Sequence, residues 1–250
     1  AFNADGSRLA TAGMNGIAHV WAVASGENVA RLERDGSVRH IGAINCITFS
    51  PDGSHLITGG QGGNVIVWTF DDEQSGYVLE QTGAVSAVAF TSNNGGQWLA
   101  TASHDHTVRI WPWDGERADY PVMLHHRGAV RSLTFSADGL SLASASDDKA
   151  TAVWSWKDDK WRKVATLRHK AAVNGVSCSS DEVGQWLATA SDDHSVQVWD
   201  VTSGRSLALL PHQDAVNVVA IRPYADELWL ATASADRQTW LWQINPGQPL

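Results

Sequence analysis

Cysteine is scarce: Cys46 and Cys178 are the only two in 250 residues. Neither stands in a Cys-x-x-Cys spacing, which leaves a disulfide framework and a zinc knuckle without support. Both sit in apolar, strand-like runs, the habit of buried free thiols in a reducing cytoplasm, so a cytoplasmic location is expected. No apolar run reaches membrane-spanning length, and no membrane partner is expected. A signal peptide is missing too, and the opening "AFNADGSRLATAG" reads as the interior of a folded element, as in a fragment of a longer chain. Basic residues number 18 against 27 acidic ones, a net charge of −9, and they form no block. Nucleic acid therefore lacks the basic footprint that phosphate binding needs. No helix-period segment of useful length appears, nor a nucleophile elbow, kinase loop, dinucleotide fingerprint or metal motif. Catalysis and cofactors have no support.

What the chain has in excess is tryptophan, 13 residues. Trp21, Trp68, Trp111, Trp154, Trp199 and Trp242 recur at intervals of 47, 43, 43, 45 and 43 residues, and a fixed period of this size marks repeat architecture. The segments "LATAGMNGIAHVW", "LITGGQGGNVIVW", "LATASHDHTVRIW", "LASASDDKATAVW", "LATASDDHSVQVW" and "LATASADRQTWLW" align without a gap. Upstream of the last five lies a second apolar run, such as "INCITFSPDG" or "VRSLTFSADG". Alternation, Val/Ile/Thr/Phe content and Asp-Gly punctuation predict short antiparallel strands joined by hairpins. A third connection, such as "GRSLALLPHQD", supplies an outer strand. Four strands per roughly 43 residues is the size of a propeller blade, whose apolar faces are covered only by stacking on neighbouring blades. Most tryptophans then serve packing, including Trp98, Trp186 and Trp229 just before each "LAT".

These residues resemble the WD-repeat family of β-propellers over essentially the whole chain, with the signature dipeptide itself at Trp199-Asp200. The resemblance implies an all-β propeller of four-stranded antiparallel blades, with repeats at about 1–38, 39–80, 81–124, 125–167, 168–210 and 211–250. The first repeat lacks its inner strand, so the chain fits either six blades or a seven-bladed or larger ring that has been cut. The resemblance also implies a hydrogen-bonded tetrad in each blade, of a loop His, a Ser or Thr, a turn Asp and the Trp. It falls on His126, Ser146, Asp148 and Trp154, on His169, Ser191, Asp193 and Trp199, and on His212, Ser234, Asp236 and Trp242. The third repeat keeps Ser103, Asp105 and Trp111 but has Gln81 in place of His, and the second keeps His40 with Gly60 and Gly62.

The clusters that look chemical have plainer readings. In "SDDH", residues 191–194, Asp193 belongs to the tetrad, Asp192 to the turn and His194 to the start of the next strand. "GGQGG", residues 59–63, is followed by neither Gly-Lys-Ser/Thr nor a helix, as a phosphate cradle requires. His104-Asp105-His106 offers at most two ligands on one side of a strand, which do not close a metal site, and His106 is expected to open the following strand. The function implied is a non-catalytic scaffold that binds a protein or peptide on one propeller face. Its expected contacts are His104, Asp147, Asp192 and Ala235 from the turns, and Thr82, Arg127, Lys170 and Gln213 from the inner loops. The near-identical "LATAS" units also resemble the WD-repeat arms of larger bacterial signalling ATPases, kinases and proteases, which makes other domains of a full-length chain candidate partners. The enzyme alternative, a propeller hydrolase, would need acids and a base converging at the channel mouth.

Overall fold

The computed structural model describes residues 1–33, 40–70, 76–93, 96–114, 120–180, 185–224 and 227–245. Turns expected at Asn94-Gly95, Asp181–Gly184 and Ala225-Asp226, and the tail from Pro246, lie outside the described residues. Among the described residues the backbone forms 22 strands, no helix, and six antiparallel sheets. The sheets fall into two compact units, Ala1–His125 and His126–Leu250.

In the first unit, the first sheet comprises β1 (Arg8–Ala12), β2 (Ala18–Ala22) and β3 (Asn28–Leu32). A single bridge, Phe2 to Leu9, stands where its inner strand would run. The second comprises β4 (Ile44–Phe49), β5 (His55–Gly60), β6 (Asn64–Thr69) and β7 (Gly76–Glu80). The third comprises β8 (Val85–Asn93), β9 (Gly96–Ser103), β10 (Thr107–Trp113) and β11 (Val122–His125). In the second unit, the fourth sheet holds β12 (Val130–Phe135), β13 (Ser141–Ser146), β14 (Ala150–Lys157) and β15 (Lys160–Arg168). The fifth holds β16 (Val173–Ser180), β17 (Gln185–Ser191), β18 (Ser195–Asp200) and β19 (Arg205–Pro211), and the sixth β20 (Val216–Tyr224), β21 (Glu227–Ser234) and β22 (Thr239–Ile244). Each sheet is a meander in chain order, as hairpin-linked strands dictate.

The core lies between neighbouring sheets of a unit. Ala10, Val20 and Leu32 of the first sheet pack against Ile44, Leu56 and Trp68 of the second. Ala143, Val153 and Leu167 of the fourth meet Val176 and Leu187 of the fifth. On its other side the fifth contributes Trp186, Ala188 and Val198 to a cluster with Val219 and Leu230 of the sixth. The "LATAS" strands thus carry small residues because both of their faces are covered, and each fully buried Leu adds about 1.5–3 kcal/mol.

Two backbone devices recur from sheet to sheet. On five inner strands the register slips after the first residue, leaving Asn45, Ser86, Arg131, Asn174 and Asn217 as the extra residue of a bulge. Such bulges re-aim a side chain. Here Asn45 Nδ2 donates to Val85 O of the next sheet at 2.9 Å, and Asn174 Nδ2 to Val216 O at 3.1 Å. The second device is the turn between the second and third strands. Its last residue is left-handed in all six repeats: Gly16 (φ 74°), Gly63 (84°), His106 (70°), Lys149 (68°), His194 (66°) and Arg237 (67°). This corrects the expectation that His106 and His194 open strands, since β10 and β18 begin one residue later. At Gly63 glycine is obligatory on two counts, because an added Cβ would also stand 2.5 Å from Gln81 O.

A branched side chain at the left-handed position should be costly and glycine should not. Lys149→Val is expected to lower stability by about 1–2 kcal/mol, and Lys149→Gly to leave it unchanged or raise it by up to about 1 kcal/mol. Denaturant midpoints read both; a clear loss in the glycine variant would mean that the lysine side chain itself stabilises the turn.

Candidate functional site

The chemistry-bearing residues gather at one end of the strands, where the turn after each second strand meets the loop that enters the sheet. In the fourth sheet Trp154 Nε1–H donates to Ser144 Oγ at 2.9 Å, and His126 Nε2 lies 2.8 Å from the same oxygen. His126 Nδ1 lies 3.0 Å from Asp148 Oδ2. The fifth sheet repeats the chain with Trp199, Thr189, His169 and Asp193 at 3.0, 2.7 and 2.9 Å. One assignment of hydrogens satisfies every group: Trp to hydroxyl, hydroxyl to Nε2, Nδ1–H to carboxylate.

The hydroxyl is a correction to the sequence reading. It belongs to Ser144 and Thr189, two residues before the Ser146 and Ser191 that had been assigned, and the same holds for Thr101 against Ser103 and Thr232 against Ser234. The reason is cross-strand geometry. Leu142 pairs with Trp154 and Leu187 with Trp199, so the residue two further along the same face is the one the indole reaches. A hydroxyl stands at this position in all six repeats, whereas Ser103, Ser146, Ser191 and Ser234 have glycine counterparts in Gly13 and Gly60, and that constancy was the available signal. The displaced serines tie turn to loop instead. Ser146 Oγ accepts from Asp148 N–H at 3.1 Å and donates to Gly128 O at 3.1 Å, and Ser191 does the same with Asp193 and Ala172.

The turn carboxylates are held below the usual carboxylate range. Burial works against their ionisation, but donors outweigh it: Arg127 N–H and His126 on Asp148, and Ser195, Lys170 N–H and His169 on Asp193. On His126 burial prevails over Asp148 and lowers the pKa.

The other sheets vary the theme. In the third, the two tasks of the missing histidine are divided: Gln81 Nε2 donates to Thr101 Oγ1 at 2.5 Å, and Arg109 Nη2 pairs with Asp105 Oδ2 at 3.1 Å while Nη1 donates to Glu80 O. Arg109 was not foreseen, although it is the one charged residue two before the repeat tryptophan in repeats two to six, in the repeat without its histidine. In the sixth, His212 meets Thr232 at 2.8 Å but turns Nδ1 to Leu210 O, leaving Asp236 Oδ2 buried without a partner. This corrects the expected His212–Asp236 contact. The loop there has Gln213 where the fourth and fifth sheets have Arg127 and Lys170, and the Asp214 carboxylate accepts from Ala215 N–H at 2.7 Å. In the second, His40 bonds Thr58 at 2.6 Å, its Nδ1 has no partner, and burial pushes it down to about 4. Gly60 admits that ring, since a Cβ there would overlap Nδ1.

Ser144, His126 and Asp148 have the connectivity of a hydrolytic triad. They cannot act as one: Ser144 is 0 % exposed and its oxygen already accepts the Trp154 N–H. The thiols are equally quiet, burial raising Cys46 to about 12 and Cys178 to about 11. Among the described residues no group of three or more His, Cys, Asp or Glu could hold a metal ion.

The expected contact residues divide by what they touch. Arg127, Lys170, Gln213, Ala235 and His104 are exposed. Arg127 and Lys170 are pinned by their backbone N–H groups to Asp148 and Asp193 at 3.0 and 2.9 Å. Thr82 is exposed, but its hydroxyl and N–H both donate to Asp105. Asp147 does not pair with Arg127: the Arg131 guanidinium, from the bulge, forks onto it at 2.7 and 2.9 Å. Asp192 accepts from Asn174 at 2.6 Å, also from a bulge. These bulge residues complete the surface and were missed, because a bulge follows from strand register and leaves no compositional mark.

Four-stranded sheets repeated with this network in register define a repeat protein built of β-propeller blades. The WD domain, G-beta repeat family model matches residues 34–69, 74–112, 120–155 and 161–200, more than half of the chain, and the protein belongs to this family. Repeats of the family typically mediate protein–protein interaction and are typically non-enzymatic. No curated protein matches the chain.

Thr189→Val removes a hydroxyl that both His169 and Trp199 need and should cost about 1–3 kcal/mol. Thr151→Val, at a buried hydroxyl without a partner, should be neutral or stabilising in the same denaturation assay. The pH dependence follows from His40, which is neutral in the fold while the unfolded chain takes up its proton near the ordinary value. Stability should fall as pH drops from about 6.5 to about 4, by about 3 kcal/mol, and His40→Gln should flatten that part of the profile. Below about pH 4, protonation of Asp148 and Asp193 should remove the stability that their lowered pKa values confer.

Proposed function

We propose that the protein is a non-catalytic platform that captures a polypeptide partner on the turn-and-loop end of its blades. The observation that carries the reading is a division of labour at that end. The tetrad groups of the fourth and fifth sheets, which have the connectivity to react, are buried and hydrogen-bonded, while Arg127 and Lys170 project from backbone that those tetrads hold rigid. Rigid presentation lowers the ordering cost of association, which favours recognition over turnover. In the second unit Arg127 and Lys170 stand at equivalent positions of adjacent sheets, beside Asp147 and Asp192 oriented by Arg131 and Asn174. A polar, charged peptide segment suits such a mixed rim.

Cross-linking and capture from lysate with wild type and an Arg127→Glu/Lys170→Glu variant tests this. Wild type should retain one or a few proteins that the variant loses, with the melting temperature nearly unchanged, because exposed substitutions alter stability by about 0.5 kcal/mol or less. Capture that persists in the variant, or loss accompanied by unfolding, would overturn the assignment of this face.

A further inference from the structure

At the opposite end of the strands, the first unit has an open cleft of about 850 Å³ between the Asp-Gly hairpins of its first two sheets. Asp5 and Arg8 line it from one side, and Asp52, Ser54, Phe70 and Tyr77 from the other. Asn3 Nδ2 lies only 3.7 Å from where a Cβ on Gly53 would stand, so the two hairpins are in close approach at the cleft's edge.

The repeat makes the cleft legible, because the second unit holds the equivalent crevice between its fourth and fifth sheets. There Gln185 Nε2 reaches across to Asp138 Oδ2 at 3.4 Å. In the aligned hairpins Asp138 corresponds to Asp5 and Gln185 to Ser54. Ser54 is too short to cross, and its hydroxyl is engaged by Asp52 at 2.7 Å and His55 Nδ1 at 2.7 Å. Asp5 is met only from its own hairpin, by the Ser7 N–H at 2.8 Å, by the Ser7 and Asn3 side chains and by the charge of Arg8. The first unit therefore presents the acceptor of this contact without a donor from the neighbouring sheet. Charge sharpens the choice of donor. Two carboxylates face one cation, Arg8, whose guanidinium already lies 5.2 Å from the Phe70 ring centroid.

We propose that this cleft receives an arginine side chain of a partner polypeptide, the guanidinium taking at Asp5 the place that the Gln185 amide takes at Asp138. A guanidinium offers N–H groups in a planar fork that matches a carboxylate, and its charge offsets the surplus acid. Its aliphatic stem lies against Phe70 and Tyr77, as the stems of long cationic side chains do on apolar surface. The site shares no residue with the rim at Arg127 and Lys170, and either can fail without the other.

Titration of ¹⁵N-labelled protein with N-acetyl-Gly-Arg-Gly-amide, followed by amide chemical shifts, tests the proposal, with the Glu tripeptide as the control. The Arg peptide should give saturable shifts at Asp5, Ser54 and Tyr77, and the Glu peptide none. Asp5→Asn, at an exposed residue bonded only within its own hairpin, should weaken binding by about tenfold or more, since hydrogen bonds to a charged group are worth that much. Ser54→Gln should bring an amide to Asp5 from within and abolish the shifts; if it does not fold, Asp5→Asn decides. The Arg127→Glu/Lys170→Glu variant should bind the peptide as wild type does. Absent or non-saturating shifts, equal response to the Glu peptide, or undiminished binding by Asp5→Asn would overturn it.

Discussion

A carboxylate withdrawn from water must be given hydrogen bonds, and the rest of each blade follows from how that demand is met. At Asp148 and Asp193 the donors are an imidazole, a loop N–H and the turn's own backbone or hydroxyl. Meeting them sets the distance between turn and loop and selects the histidine tautomer. Through the shared hydroxyl it also sets the rotamer of the tryptophan on the third strand. The third sheet demonstrates the force of the constraint. Without a histidine it recruits both Gln81 and Arg109, so the carboxylate of Asp105 is still answered. The second sheet meets the demand by deleting it, with Gly62 in place of the acid and His40 left neutral.

The same economy of contacts separates reactive chemistry from recognition. A Ser–His–Asp chain would be a hydrolytic device if its hydroxyl met solvent, and here it is closed by an indole and by the neighbouring sheets. What reaches solvent at that end are side chains whose backbone is already fixed. The bulges extend this logic: Asn45 and Asn174 lock one sheet to the start of the next, and Arg131 orients Asp147. A family of interaction modules is thus built by using polar chemistry for rigidity and leaving the variable loops free to differ.

Periodicity carried most of the architecture. Six gapless segments ending in tryptophan required strands of constant length, and strands with two covered faces required small residues between the large ones. The histidines and turn acids of the fourth and fifth repeats were readable because they recur at fixed distances from the tryptophan. The error over Ser146 and Ser191 has a specific origin. In "SASD" and "TASD" two hydroxyls stand two residues apart on one face of a strand, and only the pairing of Leu142 with Trp154, and Leu187 with Trp199, says which of them the indole meets.

Alone, then, the amino-acid sequence determined the repeat, the strands, the hairpins and the identity of the groups that had to be buried together, because these depend on local pattern and on fixed chain distances. Tertiary structure decided which hydroxyl joins each tetrad, that Arg109 stands in for a histidine, that Asp236 goes unanswered by His212, and that Asp147 belongs to Arg131. It also decided that Gln185 of one sheet reaches Asp138 of its neighbour while an open cleft stands beside Asp5. Each of these turns on where side chains from different strands meet. Bulges, left-handed turn residues and sheet-to-sheet packing govern those meetings, and a linear pattern does not encode them.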